Sequence, residues 1–134
     1  GVDASSVAVV GSSYGGYLAT ILTTLRPVRW LVLRAPALYK DSEWTMPKGQ
    51  LKKLQQLDAY RRMVVQTADS RALKACAEYT GHALIVESEN DAIIPAQVIA
   101  NYRAALKASA ASVGTRPDTF NRDPIIICTC CLVA

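Results

Sequence analysis

Ser13 stands in Gly11-Ser12-Ser13-Tyr14-Gly15, a G-x-S-x-G pentapeptide with Gly16 directly after it. A serine hydroxyl becomes a useful nucleophile when a sharp bend lifts it clear of the backbone and a base can take its proton. Such a bend strains the serine's own backbone and presses its flanks together, which favours small residues two places to either side. Gly11 and Gly15 fill both places. A helix starting at the bend aims free N–H groups, and the positive end of its dipole, at the point where an attacked carbonyl gains negative charge. The Tyr14 N–H is one such donor. Ser12, one step earlier, faces elsewhere. The pentapeptide alone arises by chance in many chains. Its spacing gives neither G-x-G-x-x-G nor the Lys-Ser/Thr pair of a phosphate-binding loop. An ordinary glycine turn is the remaining alternative, so context has to decide.

The context is a strand before and a helix after. Ser6-Val7-Ala8-Val9-Val10 is continuously apolar and β-branched, as strands covered on both faces are. Leu18, Ile21, Leu22 and Leu25 follow at the three-and-four spacing of a helix with one buried face, and Pro27 closes it. Residues 29–34, Arg-Trp-Leu-Val-Leu-Arg, predict a second buried strand, and Ala83 to Val86 a third. The roughly 45 residues between them exceed a plain crossover. They hold a loop with Trp44, Met46 and Pro47, a helix with Leu51, Leu54, Leu57 and Tyr60 on one side, and another helix near Ser70 to Tyr79. Residues 39–68 are thus either a small lid over a pocket or packing alone. Pro95 suits the first turn of a further helix, whose buried stripe is Val98, Ile99, Tyr102, Ala105 and Leu106. This alternation predicts an α/β domain: a parallel sheet with right-handed crossovers, flanked by helices.

Asp91 lies beyond the carboxyl end of the third strand, the rim where open parallel sheets bind ligands. It is either a catalytic acid or a loop carboxylate near the next helix. Glu87 and Glu89 are closer to the strand itself. "GVDASSVAVVGSSYGGYLA" resembles the nucleophile region of α/β-hydrolases, especially the dienelactone-hydrolase-like and prolyl-oligopeptidase-like branches. "ALIVESENDAIIP" resembles the strand and turn that carry the acid of that family. The two motifs occur in the family's order and the resemblance covers residues 1 to about 106. It implies a serine hydrolase acting on a small-molecule ester, thioester, lactone, amide or peptide. In that reading Ser13 is the nucleophile, Asp91 the acid, Tyr14 N–H an oxyanion donor and Gly11 and Gly15 the flanks of the bend, with no metal or other cofactor.

Two departures from the family pattern accompany the resemblance. The order Ser, Asp, His calls for a histidine after Asp91, and the single histidine of the chain is His82. It precedes the third strand while Asp91 follows it, so the two fall on opposite rims, about 20 Å apart. The chain as written is therefore expected to be close to inert. The family also has strands ahead of the serine strand, one of whose loops supplies a second oxyanion donor. The expectation is a partial α/β-hydrolase fold, first strands missing, with an apolar edge on the serine strand. Residues 107–134 lose helical periodicity and end in a β-prone run, Ile125 to Val133. They are read either as a tail out of frame or as a replacement for the last strand.

Composition narrows the rest. With 134 residues, 51% of them hydrophobic, the chain can build one core. Its charge of +4 is mild, and basic residues such as Arg61 and Arg62 are scattered as a solvated face, which argues against nucleic-acid binding. Cys76, Cys128, Cys130 and Cys131 lack the paired spacing of a zinc site, and reduced thiols suit a cytoplasmic protein. No run approaches the roughly 20 apolar residues of a membrane span. No leader follows the initial glycine, so an upstream segment, export signal included, is left open.

Overall fold

The structure, a computed structural model, describes Asp3 and residues 6–88, 90–106, 112–116 and 131–133, the last two stretches by their backbone. Apolar, β-branched runs form the strands β1 (Ala8–Ser12), β2 (Trp30–Arg34) and β3 (His82–Ser88), joined by β4 (Ser112–Arg116) and β5 (Cys131–Val133) in the order β4-β3-β2-β1-β5. The first four are parallel. Ala8 faces Trp30, Trp30 faces His82, and Leu84 faces Ser112. β5 runs antiparallel to β1 and pairs with Ala8, Val9 and Val10.

The helices are α1 (Tyr14–Leu22), α2 (Lys48–Leu51), α3 (Leu57–Arg61), α4 (Arg71–Glu78) and α5 (Ala96–Ala105). Each step from β1 to β4 goes to the adjacent strand in the same direction. Right-handed crossovers therefore put α1, α4 and α5 on one face of the sheet, where α1 packs on α4 and α4 on α5. The strands record this one-sided cover. Val9, Leu31, Leu33, Ala83 and Ile85 are buried, whereas Val10, Val32, Leu84 and Val86 between them are half-buried. The continuous apolar runs led us to expect cover on both faces; burial instead alternates. Leu33 and Ile85 are fully buried, and each such side chain contributes about 1.5–3 kcal/mol.

Several boundaries differ from the sequence reading. β1 lies two residues later than residues 6–10. α1 stops at Leu22, where the Thr23 and Thr24 hydroxyls donate back to the carbonyls of Thr20 and Ile21. Leu25 falls outside the helix and is 70% exposed. Of the expected stripe, Ile21 is buried and Leu18 and Leu22 pack against the core, and the buried side also includes Gly15, Gly16, Tyr17, Ala19 and Thr20. Small residues there let the helix lie close. The single helix expected over Leu51 to Tyr60 is two short ones, α2 and α3, with Leu51 and Tyr60 buried and Leu54 and Leu57 packed on the core between. Pro95 is the residue before α5 rather than in its first turn, and all five expected stripe residues are buried. The parallel strand β4, in a segment with no apolar period, was not foreseen. Of the tail, 107–111, 117–130 and 134 lie outside the described residues.

α4 starts from a buried cap: Ser70 Oγ accepts the Leu73 N–H at 3.4 Å. Both Asp41 oxygens also accept the Arg71 N–H, at 2.9 and 3.0 Å, which ties the 39–68 excursion to that helix end. No described helix is long and apolar enough to cross a membrane. The fold class is α/β, parallel strands flanked by helices.

Burial holds several weak acids in their neutral form. Desolvation pushes the Cys76 thiol up to about 12. It does the same to the Tyr17 and Tyr60 hydroxyls, with the Asp41 carboxylate adding to it. The unfolded chain sheds these protons nearer 9.0 for the thiol and 10.0 for the phenols. Above those values the unfolded state binds fewer protons, so stability falls as pH rises. Urea unfolding should give flat stability up to pH about 8 and a decline from about 9 towards 12, with Cys76 alone adding a slope of up to about 1.4 kcal/mol per pH unit. Tyr60→Phe should make that decline shallower.

Candidate functional site

The handover from β1 to α1 takes place at a single residue. Ser13 has φ 52° and ψ −118°, left-handed backbone that a side chain disfavours. A residue held this way costs on the order of 1–3 kcal/mol and persists only when its surroundings over-determine it. Here they do. The Ser13 N–H donates to the Arg34 carbonyl at 3.0 Å. Its carbonyl accepts from the N–H groups of Gly16 (3.0 Å), Tyr17 (3.2 Å) and Ala37 (2.9 Å). The start of α1 and the segment leaving β2 thus grip the same peptide. The side chain is exposed and makes no capping bond to the helix.

Glycine is required where this bend closes. A Cβ at Gly11 would lie 2.5 Å from the Gly15 carbonyl oxygen and 2.7 Å from Gly16 Cα, both backbone atoms that cannot swing aside. Gly15 is buried in the same contact. Sequence reasoning gave no role to Gly16, yet a Cβ there would lie 2.9 Å from Pro36 Cβ. That contact joins residues twenty apart in the chain, so no local signal announces it. Tyr14 opens α1, and a helix's first N–H groups have no intrahelical acceptor. Ser12, the last residue of β1, accepts from the Arg34 guanidinium at 3.3 Å.

Because β1, β2 and β3 are parallel and in register, the loops after them share one rim. Asp91 follows β3 there, two strand spacings, or roughly 10 Å, from β1, the strand that leads into Ser13. The Ile93 and Ile94 N–H groups donate to Asp91 Oδ1 at 2.8 and 2.9 Å, so the carboxylate shapes its own turn. A further donor would go to Oδ2. Beside it opens a cleft of about 420 Å³, walled by Asp91, Ser88, Glu87, Ile94 and, across the gap, Ala35. Ala35 is the second non-glycine residue with positive φ, 40°, and its N–H donates to the Val86 carbonyl at 2.8 Å. Both strained residues therefore sit on this rim, with Ala35, after the middle strand β2, between Ser13 and Asp91.

The rival acids are placed differently. Glu87, inside β3, pairs with Arg103 at 3.2 Å, and Glu89 lies outside the described residues. His82 opens β3 at the opposite rim, exposed, with its N–H on the Arg29 carbonyl at 2.9 Å. Seven strand residues separate the two rims, about 20 Å. Among the described residues no three metal-ligating side chains cluster. Around Tyr14, the ring of Tyr39 meets those of Tyr14 and Tyr17 edge-on at 5.6 and 5.2 Å, and Trp44 of the excursion lies 6.2 Å from Tyr17. The excursion thus packs beside the bend. Arg61, counted with a solvated face, is instead 7% exposed, while its neighbour Arg62 is outside, paired with Asp58 at 2.9 Å.

A family model, "Uncharacterised protein family (UPF0227)", matches residues 2–112. No curated protein matches the sequence. Among solved structures, a candidate dipeptidyl aminopeptidase IV from Bacteroides ovatus superposes with a TM-score of 0.57 at 18% identity, over 87% of this chain and 16% of that one. Rv0554 from Mycobacterium tuberculosis superposes with a TM-score of 0.51 at 16% identity, over 83% of this chain and 57% of that one. The chain spans only those fractions of both proteins. At such identities the likeness speaks for the fold, which is α/β and hydrolase-like.

The strain at Ser13 has a measurable sign. Ser13→Gly releases it and should raise stability by about 1 kcal/mol after the entropic cost of glycine. Gly11→Ala should lower it by about 1–3 kcal/mol through overpacking against backbone. Urea unfolding midpoints at constant m-value check both.

Proposed function

The chain belongs to the UPF0227 family, and we propose that its rim carries the nucleophile and the acid of a hydrolytic serine site. The observation that carries this reading is the exposed Ser13 hydroxyl on a backbone of φ 52° and ψ −118° at a strand-to-helix bend. Strain of that kind is retained where it serves a purpose.

In the reaction, Ser13 Oγ attacks the carbonyl carbon of an ester, thioester, lactone, amide or peptide. The Oγ–C bond forms as the carbonyl π pair moves onto oxygen, where the Tyr14 N–H meets it. A base takes the hydroxyl proton and returns it to the leaving group as the C–leaving-group bond breaks. Water repeats the cycle on the acyl-serine. Asp91 Oδ2 would accept a hydrogen bond from the base's second nitrogen and hold it in the right tautomer. Two strand spacings, roughly 10 Å, separate the loops, and an imidazole with one hydrogen bond of about 3 Å at each nitrogen spans most of that, the serine and aspartate side chains supplying the rest. Gly11 and Gly15 keep the bend closed. Trp44, Met46 and the Leu51–Tyr60 segment, lid or wall, shape the pocket for the acyl or leaving group. The reading needs no metal or organic cofactor, no nucleic acid and no membrane, and reduced thiols suit a cytoplasmic setting.

The chain's single histidine is on the other rim, so a base has to be added for Ser13 to react well. The same observation favours a second reading, a hydrolase-like protein that binds through the cleft without turnover. The two part in one experiment. A fluorophosphonate should label Ser13, with a rate that grows with free imidazole, and Ser13→Ala should abolish the adduct. Asp91→Asn should cut the imidazole-assisted rate at least tenfold and leave the unassisted rate alone. No adduct at any imidazole concentration overturns the hydrolytic reading and leaves the binding one.

A further inference from the structure

The geometry points to Arg61 as a positioning residue: its buried guanidinium ties the Leu38 carbonyl, beside the peptide that grips Ser13, to the Ile93 carbonyl, inside the turn that Asp91 builds. The inference rests on the hydrolytic reading of the rim for its purpose, though not for its geometry.

Arginine is rarely buried without a partner, because taking a charge out of water is costly. Arg61 is 7% exposed. The ion pairs found among the described residues, Arg62 with Asp58 and Arg103 with Glu87, do not include it. Its Nε donates to the Leu38 carbonyl and its NH1 to the Ile93 carbonyl, each at 3.4 Å. The guanidinium carbon Cζ lies over the Tyr39 ring, 5.0 Å from its centre. An apolar side chain of similar volume would fill this space without the desolvation cost. What arginine adds is a rigid planar fork whose N–H groups diverge to two acceptors on separate segments.

Those two segments are the ones that matter at the rim. Leu38 follows Ala37, whose N–H donates to the Ser13 carbonyl at 2.9 Å and whose own carbonyl accepts the buried Tyr102 hydroxyl at 2.8 Å. Ile93 has its N–H on Asp91 Oδ1 and its carbonyl on Arg61. A continuous series of contacts therefore runs from Ser13 through Ala37 and Leu38 to Arg61, and on through Ile93 to Asp91. The two Arg61 bonds are equal in length, so neither loop holds the guanidinium alone. An anion-binding role fits less well, since Arg61 is not on the wall of the cleft beside Asp91.

The test uses the full chain, uniformly labelled with nitrogen-15, as wild type, Arg61→Met and Arg61→Lys. Hydrogen exchange is read at the Ile93 and Ile94 amides, with Val32 and Leu84 in the strands as reference. Ser13 labelling by a fluorophosphonate is read with and without imidazole. The expected result for Arg61→Met is at least tenfold faster exchange at Ile93 and Ile94 with the strand amides unchanged. Its imidazole half-saturation should rise at least fivefold while unassisted labelling holds. Arg61→Lys, which can reach one carbonyl at a time, should fall between, and it carries the comparison if Arg61→Met does not fold. Exchange at Ile93 and Ile94 within twofold of wild type, or a rise shared equally with the strands, overturns the proposal. If wild type never labels at Ser13, the hydrolytic reading fails, and the exchange measurement still decides whether Arg61 holds the Asp91 turn.

Discussion

The peptide of Ser13 is the fixed point of the rim. Four backbone hydrogen bonds converge on one strained residue, two with the helix it begins and two with the end of β2 and the segment that leaves it. Neither set would suffice alone. The helix bonds are those any first turn makes, and they leave φ free to relax. The bonds to Arg34 and Ala37 are long-range and need β1 and β2 in their present register. A one-residue slip of that pairing would invert every side chain along the strand and release the serine at the same time. The local conformation and the sheet register thus depend on each other.

Strain placed this way explains the small residues around it. Gly11 and Gly16 are not tolerated gaps in a core. They are the positions of closest approach, Gly11 against the backbone of Gly15 and Gly16, and Gly16 against the Cβ and Cα of Pro36. α1 can then sit deep enough for its first peptide units to reach the rim. The aromatic packing of Tyr14, Tyr17, Tyr39 and Trp44 closes the outer side of the same helix end. The molecule spends tight packing on one corner and leaves much of the far sheet surface half-covered.

Features carried by neighbours in sequence were legible in it. Gly11, Ser13 and Gly15 between an apolar run and a helical period identified the bend, and the apolar strand ahead of Asp91 put that residue on the same rim. Features that arise from distant partners were not. Arg61 and Arg62 are indistinguishable by type, and only the phase of a five-residue helix sends one inward and one to Asp58. Ala35 gives no hint of positive φ because no glycine marks it. Gly16 meets Pro36 across twenty residues. β4, Ser-Val-Gly-Thr-Arg, carries one strongly apolar residue, so its pairing with β3 rests on backbone bonds that leave no hydrophobic period to read. Leu25 continued the apolar spacing after the threonines had already ended α1.

The direction in which the strands advance has a consequence for where chemistry can occur. β1 is the start of that advance, and any parallel neighbour reached from it the other way would need its crossover wound onto the reverse side. Loops diverge at such a reversal, and the crevice they leave is where open α/β sheets receive ligands. β5 pairs along β1 from Ala8 to Val10, and Ser13, beyond the end of β1, is exposed. Ser13 owes its access as much to the winding of the chain as to its own bend.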